Sequence, residues 1–316
     1  MEKSLLIVVP CYNEEEIIES SSNKFIAYLQ NLIEKNLVSK ESKICLVDDG
    51  SKDKTWELIE KICQQNTVVA SIKLSKNFGH QSAVLAGLLE NEGKFDAFIT
   101  IDADLQDDIN VIEKMVMSFH NGAHVVYGVR DDRSSDSFFK KFTAESFYKL
   151  MEKMGVPVVF NHADFRLMSN EIIKHLRDYK EVNLFIRGII PTIGFKSDKV
   201  FYARKIREAG ESKYPLSKML SFAWNGITSF STTPMKLVLW FGIFNFLLAV
   251  GITVYVIASK MMGTTVLGWT STLLPMAYFS GSNMIAVGLI GEYLGKVYEE
   301  IKARPRYIVE TKQNLE

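Results

Sequence analysis

The chain has 316 residues, with 37 basic and 37 acidic side chains and a formal net charge of zero. That length allows one large domain or two modest ones, and the charge balance argues against a nucleic-acid binder, which carries a basic excess. The composition is 47% hydrophobic and 23% charged, ordinary for a globular protein, yet between Leu237 and Gly291 only Lys260 is charged, so a charged globular part precedes an apolar one.

The first apolar run, Leu5 to Val9, is short and meets Pro10 and then Glu14, Glu15 and Glu16. It lacks the length and cleavage site of a secretory leader, so secretion is disfavoured. Ser4–Pro10 reads as a buried strand and Glu14–Glu34 as an amphipathic helix. Lys43–Val47 is a second strand, followed by a helix over Asp53–Gln64. Val69–Leu74, Phe95–Ile101 and His124–Gly128 read as further strands, separated by helices over Gln81–Asn91 and Val111–His120. Strands with continuous apolar runs, alternating with helices, predict a parallel sheet covered on both faces. The three cysteines, Cys11, Cys45 and Cys63, are too few and odd in number for a disulfide framework, which fits a reducing compartment.

After Gly210 the pattern changes. Leu216, Met219, Leu220, Ala223, Ile227 and Phe230 recur at helical spacing beside Trp224. This predicts an amphipathic helix in the membrane interface, or alternatively one packed on the globular domain. Leu237–Ser259 supplies about 23 uncharged residues, enough to cross a ~30 Å hydrocarbon layer. Trp269–Leu294 is a second, less apolar span, so the pair predicts a transmembrane hairpin. Lys213, Lys218 and Lys236 precede it and Lys296, Lys302, Arg304 and Arg306 follow, which puts both termini on the cytoplasmic side. Gly281, Gly288, Gly291 and Gly295 allow close helix contact and suggest a homo-oligomer.

Chemistry concentrates in the segments that follow strands, where open α/β sheets bind ligands. Asp102-Ala103-Asp104-Leu105-Gln106-Asp107 places two carboxylates and an amide at a strand end. Asp102, Asp104 and Gln106 are oxygen ligands suited to one Mg²⁺ or Mn²⁺, which would neutralise a diphosphate leaving group. Asp48 and Asp49 follow the second strand; one is expected to cap the next helix and the other to face a nucleoside.

In this order and spacing the chain resembles glycosyltransferase family 2, in particular its polyprenyl-phosphate glycosyltransferases (the bactoprenol glucosyltransferase and dolichol-phosphate mannose synthase group). The matching segments begin with Val9-Pro10-Cys11-Tyr12-Asn13-Glu14, Val47-Asp48-Asp49-Gly50-Ser51, Asn77-Phe78-Gly79-His80-Gln81 and the Asp102–Asp107 run. They continue through Tyr127-Gly128-Val129-Arg130, Asp164-Phe165-Arg166-Leu167, Arg187-Gly188, Gly210-Glu211-Ser212-Lys213-Tyr214 and Arg304-Pro305-Arg306-Tyr307-Ile308-Val309.

The resemblance implies an α/β nucleotide-diphosphosugar-binding domain (Rossmann-like, GT-A type) over residues 1–210. It is followed by an interfacial amphipathic region over 211–235, two transmembrane helices within 236–295 and a cytoplasmic tail over 296–316. It also implies that Pro10, Tyr12, Glu14 and Asp49 hold the nucleoside, that Asp102, Ala103 and Asp104 with Gln106 form the metal and diphosphate site, and that Arg130 reaches the diphosphate. Arg207 and Lys213 would bind the lipid phosphate, or else anchor the chain at the interface by snorkelling. Arg133 is a weaker diphosphate candidate, in a polar loop. Asp164 is the family's candidate base, although a phosphomonoester acceptor is mostly dianionic near neutral pH and needs positioning more than proton removal. The implied reaction is inverting, metal-dependent transfer of one hexose from a nucleotide sugar, UDP-glucose or another UDP-hexose, to undecaprenyl or another polyprenyl phosphate at the inner face of the plasma membrane. Dolichol-phosphate mannose synthesis from GDP-mannose and a non-catalytic membrane-anchored assembly subunit are the alternatives. Asp107-Asp108-Ile109-Asn110 stands where the family often has prolines, and Pro191-Thr192-Ile193-Gly194-Phe195 lacks a frequent tryptophan, so the sugar stays open.

Overall fold

The computed structural model describes residues 2–130, 162–182, 185–202, 228, 232–263 and 268–315. The globular part is an eight-stranded mixed sheet in the order β7-β5-β6-β4-β1-β2-β3-β8. Its centre consists of β1 (Leu5–Cys11), β2 (Lys43–Asp48), β3 (Val69–Leu74) and β4 (Ala97–Thr100), all parallel. β1 is buried along its whole length, as a strand covered on both faces must be. Its side chains alternate: Leu5, Ile7 and Val9 enter one apolar core, Leu6 and Val8 the other.

The first core is closed by α1 (Ile18–Glu34), α2 (Thr55–Gln65) and α4 (Val111–His120), through residues such as Phe25, Leu29, Ile59 and Met115. The second is closed by α3 (His80–Leu89), α5 (Asn170–Asp178) and α6 (Ile186–Ile193), through Leu85, Leu88, Ile172 and Ile189. Both faces are therefore helix-covered, as the strand pattern predicts. α3 approaches the sheet at Gly87, where a Cβ would overlap Val8 Cγ1.

The sheet is not wholly parallel. β6 (His162–Ser169) lies between β4 and β5 (Val125–Arg130) and runs antiparallel to both, while β7 (Ser197–Tyr202) pairs parallel with β5. Residues 296–316, expected to be a tail, supply a further strand. β8 (Val309–Gln313) pairs antiparallel with β3 and closes that edge. All three cysteines are free and buried.

Two long helices precede β8. α7 (Thr233–Met261) contains one stretch, Thr233–Ser259, with a mean hydropathy of 2.3, long and apolar enough to cross a membrane. α8 (Trp269–Ile301) is a continuous helix of 33 residues carrying Gly281, Gly288 and Pro275; among the described residues α7 alone meets the length and hydropathy of a span, so the expected second span is not shown. Large apolar side chains on both helices, including Leu239, Trp240, Phe246, Met284 and Ile285, face outward. The expected interfacial helix, Arg133, Arg207 and Lys213 lie outside the described residues.

Candidate active site

A cavity of about 410 Å³ opens at the carboxyl ends of the parallel strands. Its wall takes Pro10, Cys11, Tyr12 and Glu14 from the end of β1 and Asp49 from the end of β2. Asn77, Gly79, His80 and Ala83 come from the approach to α3 and its first turn, and Asp102, Ala103 and Asp104 follow β4. Seven residues singled out in the sequence thus converge: Pro10, Tyr12, Glu14, Asp49, Asp102, Ala103 and Asp104.

The loops after β1 and β2 are tied to each other. Asn13, at φ 54°, donates its N–H to Ser51 Oγ (3.0 Å) and accepts from Lys52 N–H (2.9 Å). Glu14 N–H donates to Thr55 Oγ1 at 2.8 Å. With Glu15 N–H donating to Asp53 Oδ2 at 3.3 Å, these bonds commit residues 13–15 to the second loop, and α1 begins at Ile18 and not at the expected Glu14. Helix capping differs from expectation as well. Asp53 receives the Thr55 N–H at 3.0 Å, whereas buried Asp49 accepts from Phe78 N–H (2.7 Å) and Gly79 N–H (2.9 Å). Asp49 therefore braces the turn into α3, and burial raises its pKa despite those two bonds.

After β4 the chain turns sharply at Leu105, a non-glycine residue with φ 51°, a conformation that costs of order 1 kcal/mol. The turn brings Gln106 N–H to 3.1 Å from Asp104 Oδ1. Asp102 and Asp104 line the cavity; Gln106, the expected third ligand, is buried and is not part of its wall. Burial raises the Asp102 carboxyl to about 6; His80 opposes the rise, and the charges of Asp164, Asp107 and Asp104 add to it. Among the described residues no group of three or more His, Cys, Asp or Glu side chains forms a metal cage by itself. Two accessible carboxylates in a surplus of negative charge instead fit a divalent cation that completes its shell with water and phosphate oxygens.

Two charged clusters flank this wall. Asp164 accepts paired hydrogen bonds from Arg187 Nε (2.8 Å) and Nη2 (2.7 Å), and another from Arg166 Nη2 (2.7 Å). Burial alone would raise the Asp164 carboxyl; Arg187, then Arg166 and His80, more than offset this and hold it well below the usual carboxylate range. Thr100 Oγ1 donates to the Asp164 carbonyl at 2.5 Å, tying the cluster to the end of β4. In the second cluster Arg130 Nη2 donates to Asp107 Oδ1 at 3.1 Å, and Tyr202 Oη donates to the same oxygen at 2.6 Å. Arg130 is thus held by Asp107, and it is not among the residues of the cavity wall. His80, Arg187 and Asp107 lie in segments that carry the family resemblance, but the sequence assigns them no role, and Tyr202 carries no sequence signal.

A helix-covered parallel sheet with an acidic cleft at its strand ends is the architecture of nucleotide-sugar transferases of the Rossmann-like GT-A kind. The profile of "Glycosyl transferase family 2" matches residues 6–177. The chain belongs to glycosyltransferase family 2, and it is a transferase. It is 38% identical over 312 residues to the "Bactoprenol glucosyl transferase" of Shigella phage SfX, covering 97% of this chain and 99% of that one. It is 47% identical to the "Uncharacterized glycosyltransferase YkoT" of Bacillus subtilis (strain 168), covering 97% and 91% respectively. Among solved structures, glucosyl-3-phosphoglycerate synthase from Mycobacterium tuberculosis has a TM-score of 0.44 at 17% identity, covering 72% of this chain and 79% of that chain.

Proposed function

We propose that this glycosyltransferase moves one hexose from a nucleotide sugar, UDP-glucose first among candidates, to a polyprenyl phosphate at the cytoplasmic membrane face. The observation that carries the reading is the cavity at the strand ends, with Asp102 and Asp104 on its wall, in a chain that also holds an outward-facing apolar helix. Full-length similarity to proteins named bactoprenol glucosyl transferase supports both acceptor and sugar.

Pro10, Tyr12, Glu14 and Asp49 would receive the nucleoside, and Asp102 and Asp104 would hold Mg²⁺ or Mn²⁺ against the diphosphate. When bound, the cation neutralises charge on the departing nucleoside diphosphate. An acceptor phosphate oxygen attacks the anomeric carbon as the bond to the diphosphate oxygen breaks, in one displacement that inverts configuration. The acceptor phosphate is already mostly dianionic at neutral pH, so no base is required. That agrees with an Asp164 committed to two arginines. Asp164 and Arg187 are then orienting groups, and Arg130, steadied by Asp107, meets the donor diphosphate. Arg207 and Lys213 are proposed for the lipid phosphate.

α7 and α8 are proposed to form the membrane hairpin, spanning about 237–259 and 269–294, with the catalytic domain and both termini cytoplasmic on the basic flanks of the pair. Around Gly281, Gly288 and Gly291 there is open space, which suits helix contact between copies in a homo-oligomer.

The test is transfer by purified protein in detergent, with undecaprenyl phosphate, Mg²⁺ or Mn²⁺ and labelled UDP- and GDP-sugars. Lipid-extractable label from one donor, abolished by EDTA and by Asp104→Ala, is the expected result. Nucleotide binding without lipid labelling from any donor would overturn the acceptor assignment and favour a binding subunit.

A further inference from the structure

His80 is the one cavity residue with an imidazole, and the donor-site reading above leaves it unused. Two features fix its position. Gly79, immediately before it, has φ 94°, a left-handed conformation that a side chain would strain. The Asp49 carboxylate grips the two N–H groups of Phe78 and Gly79, so the turn into α3 is held from β2 and not by the imidazole itself. Behind it, α3 lies so close to β1 at Gly87 that the helix cannot shift toward the sheet.

The His80 side chain lines the cavity and is 45% exposed, and its Nε2 stands 3.7 Å from Asp102 Oδ1 and 3.9 Å from Asp164 Oδ2. Both separations exceed a hydrogen bond, so the ring bridges two carboxylates without being committed to either. The strand order gives this place a meaning. Along the carboxyl edge the sheet runs β2, β1, β4, β6. Pro10 near the end of β1, with Tyr12 after β1 and Asp49 after β2, lies on the nucleoside side; Asp102 and Asp104 follow β4; Asp164 lies on β6. A nucleotide sugar laid with its nucleoside over β1 and β2 and its diphosphate at β4 carries its hexose toward β6, into the gap between Asp102 and Asp164 that His80 spans.

We propose that His80 reads the transferred sugar: an imidazole nitrogen hydrogen-bonds a hydroxyl of the hexose, and so contributes to which nucleotide sugar is accepted. A hydroxyl both donates and accepts, so it can pair with a ring nitrogen in either role. The proposal rests on the donor-site reading and deepens it.

The test separates the sugar from the nucleotide. Calorimetry on the full-length protein in detergent with Mn²⁺ compares UDP-glucose with UDP, for wild type, His80→Ala and His80→Gln, beside transfer assays with UDP-glucose and UDP-galactose. Because Asp49 holds the turn, His80→Ala is expected to melt at the wild-type temperature. It should weaken UDP-glucose by roughly fivefold, the value of one neutral hydrogen bond, while UDP binding stays within about twofold. The kcat/KM preference between the two sugars should fall by a similar factor, and His80→Gln should recover part of it. Equal weakening of UDP and UDP-glucose, or an unchanged sugar preference, would overturn the assignment of His80 alone. Wild-type protein that binds neither UDP nor UDP-glucose would overturn the donor-site reading and His80 with it.

Discussion

Arg187 and Asp164 are joined side on by two parallel hydrogen bonds, Nε to Oδ1 at 2.8 Å and Nη2 to Oδ2 at 2.7 Å. Such a fork is the strongest pairing two side chains make, and it aligns both planes as well as both charges. A carboxylate so held has little tendency to take up a proton. The acid limb of the transfer rate is therefore expected near pH 6, where the second ionisation of the acceptor phosphate and the Asp102 carboxyl both fall, and to lie at the same pH in wild type and in Arg130→Lys. Rates at saturating donor measured from pH 4.5 to 8 check this. Arg187→Gln removes the largest lowering influence on Asp164, so its carboxyl pKa rises and any new limb should appear on the acid side.

The same carboxylate governs stability through a second arginine. Arg166 is 2% exposed and meets Asp164 at 2.7 Å, so Asp164→Asn leaves a buried guanidinium without its counter-charge. Breaking a buried pair from one side costs about 3–5 kcal/mol, and the variant should unfold at distinctly lower denaturant concentration. The sign with pH follows from a folded pKa below the unfolded one. The stabilisation is fully present above about pH 4, the unfolded carboxylate value, and fades only as pH falls through the depressed folded value. The gap between wild type and Asp164→Asn should thus be constant from pH 5 to 8 and narrow only in stronger acid. Urea titrations at several pH values measure it.

Asp107 offers a separate handle on Arg130. It is 3% exposed and receives both Tyr202 Oη and Arg130 Nη2. Burial and the Asp107 charge push the Tyr202 hydroxyl up, so it remains a donor throughout the working pH range. Tyr202→Phe deletes one of the two groups stabilising a buried carboxylate, at a cost of about 1–3 kcal/mol. The free Asp107 lone pair then draws more strongly on Arg130. Binding of the nucleotide diphosphate is expected to weaken while the sugar preference stays unchanged, which calorimetry with UDP and the paired-sugar assay would read.

Packing sets a limit of another kind. Ala at Gly87 would place its Cβ into Val8 Cγ1 and within 3.0 Å of Val47 Cγ2, both on the central strands. Overpacking of this sort costs about 1–3 kcal/mol, so Gly87→Ala should melt several degrees lower. Since β1 and β2 carry Pro10 and Asp49 at their ends, the KM for the donor should rise as well. A thermal melt beside one kinetic curve tests both.

What could be read from the sequence follows a physical division. β1, β2 and β3 are uninterrupted apolar runs ended by turn residues, and a strand buried on both faces announces itself that way. β6 does not, because its interior holds Asp164 and Arg166, whose burial is made tolerable by partners 23 residues away and two residues away. β8 reads Val-Glu-Thr-Lys-Gln, an edge strand with one apolar residue, which resembles any polar tail until β3 lies beside it. The cavity residues after β1, β2 and β4 were legible because the strand-end rule needs only chain order. The roles of His80 and Arg187 are not legible there, although both lie in segments that match the family, since their relation to Asp164 exists only once β6 inserts beside β4.

The C-terminal strand makes the last prediction. Beyond its ladder with β3, Asn314 Nδ2 donates to the carbonyls of Cys63 (3.0 Å) and Val69 (2.8 Å), and Lys43 Nζ donates to the Asn314 carbonyl at 2.6 Å. Tyr307 Oη donates to Glu90 at 2.9 Å, and the buried Leu315 fills the second core. A chain stopped after Ala303 loses all of these and exposes the β3 edge, a row of unpaired N–H and C=O groups that recruits other strands. The truncated protein is expected to melt lower and to elute partly as aggregate, whereas Thr311→Ala, which keeps the backbone ladder and the Lys312–Glu90 pair, should behave as wild type. Size exclusion with light scattering, run beside a thermal melt in the same detergent, distinguishes the two. A truncated protein as stable and monodisperse as the full chain would mean that β8 is dispensable and that the domain ends at β7.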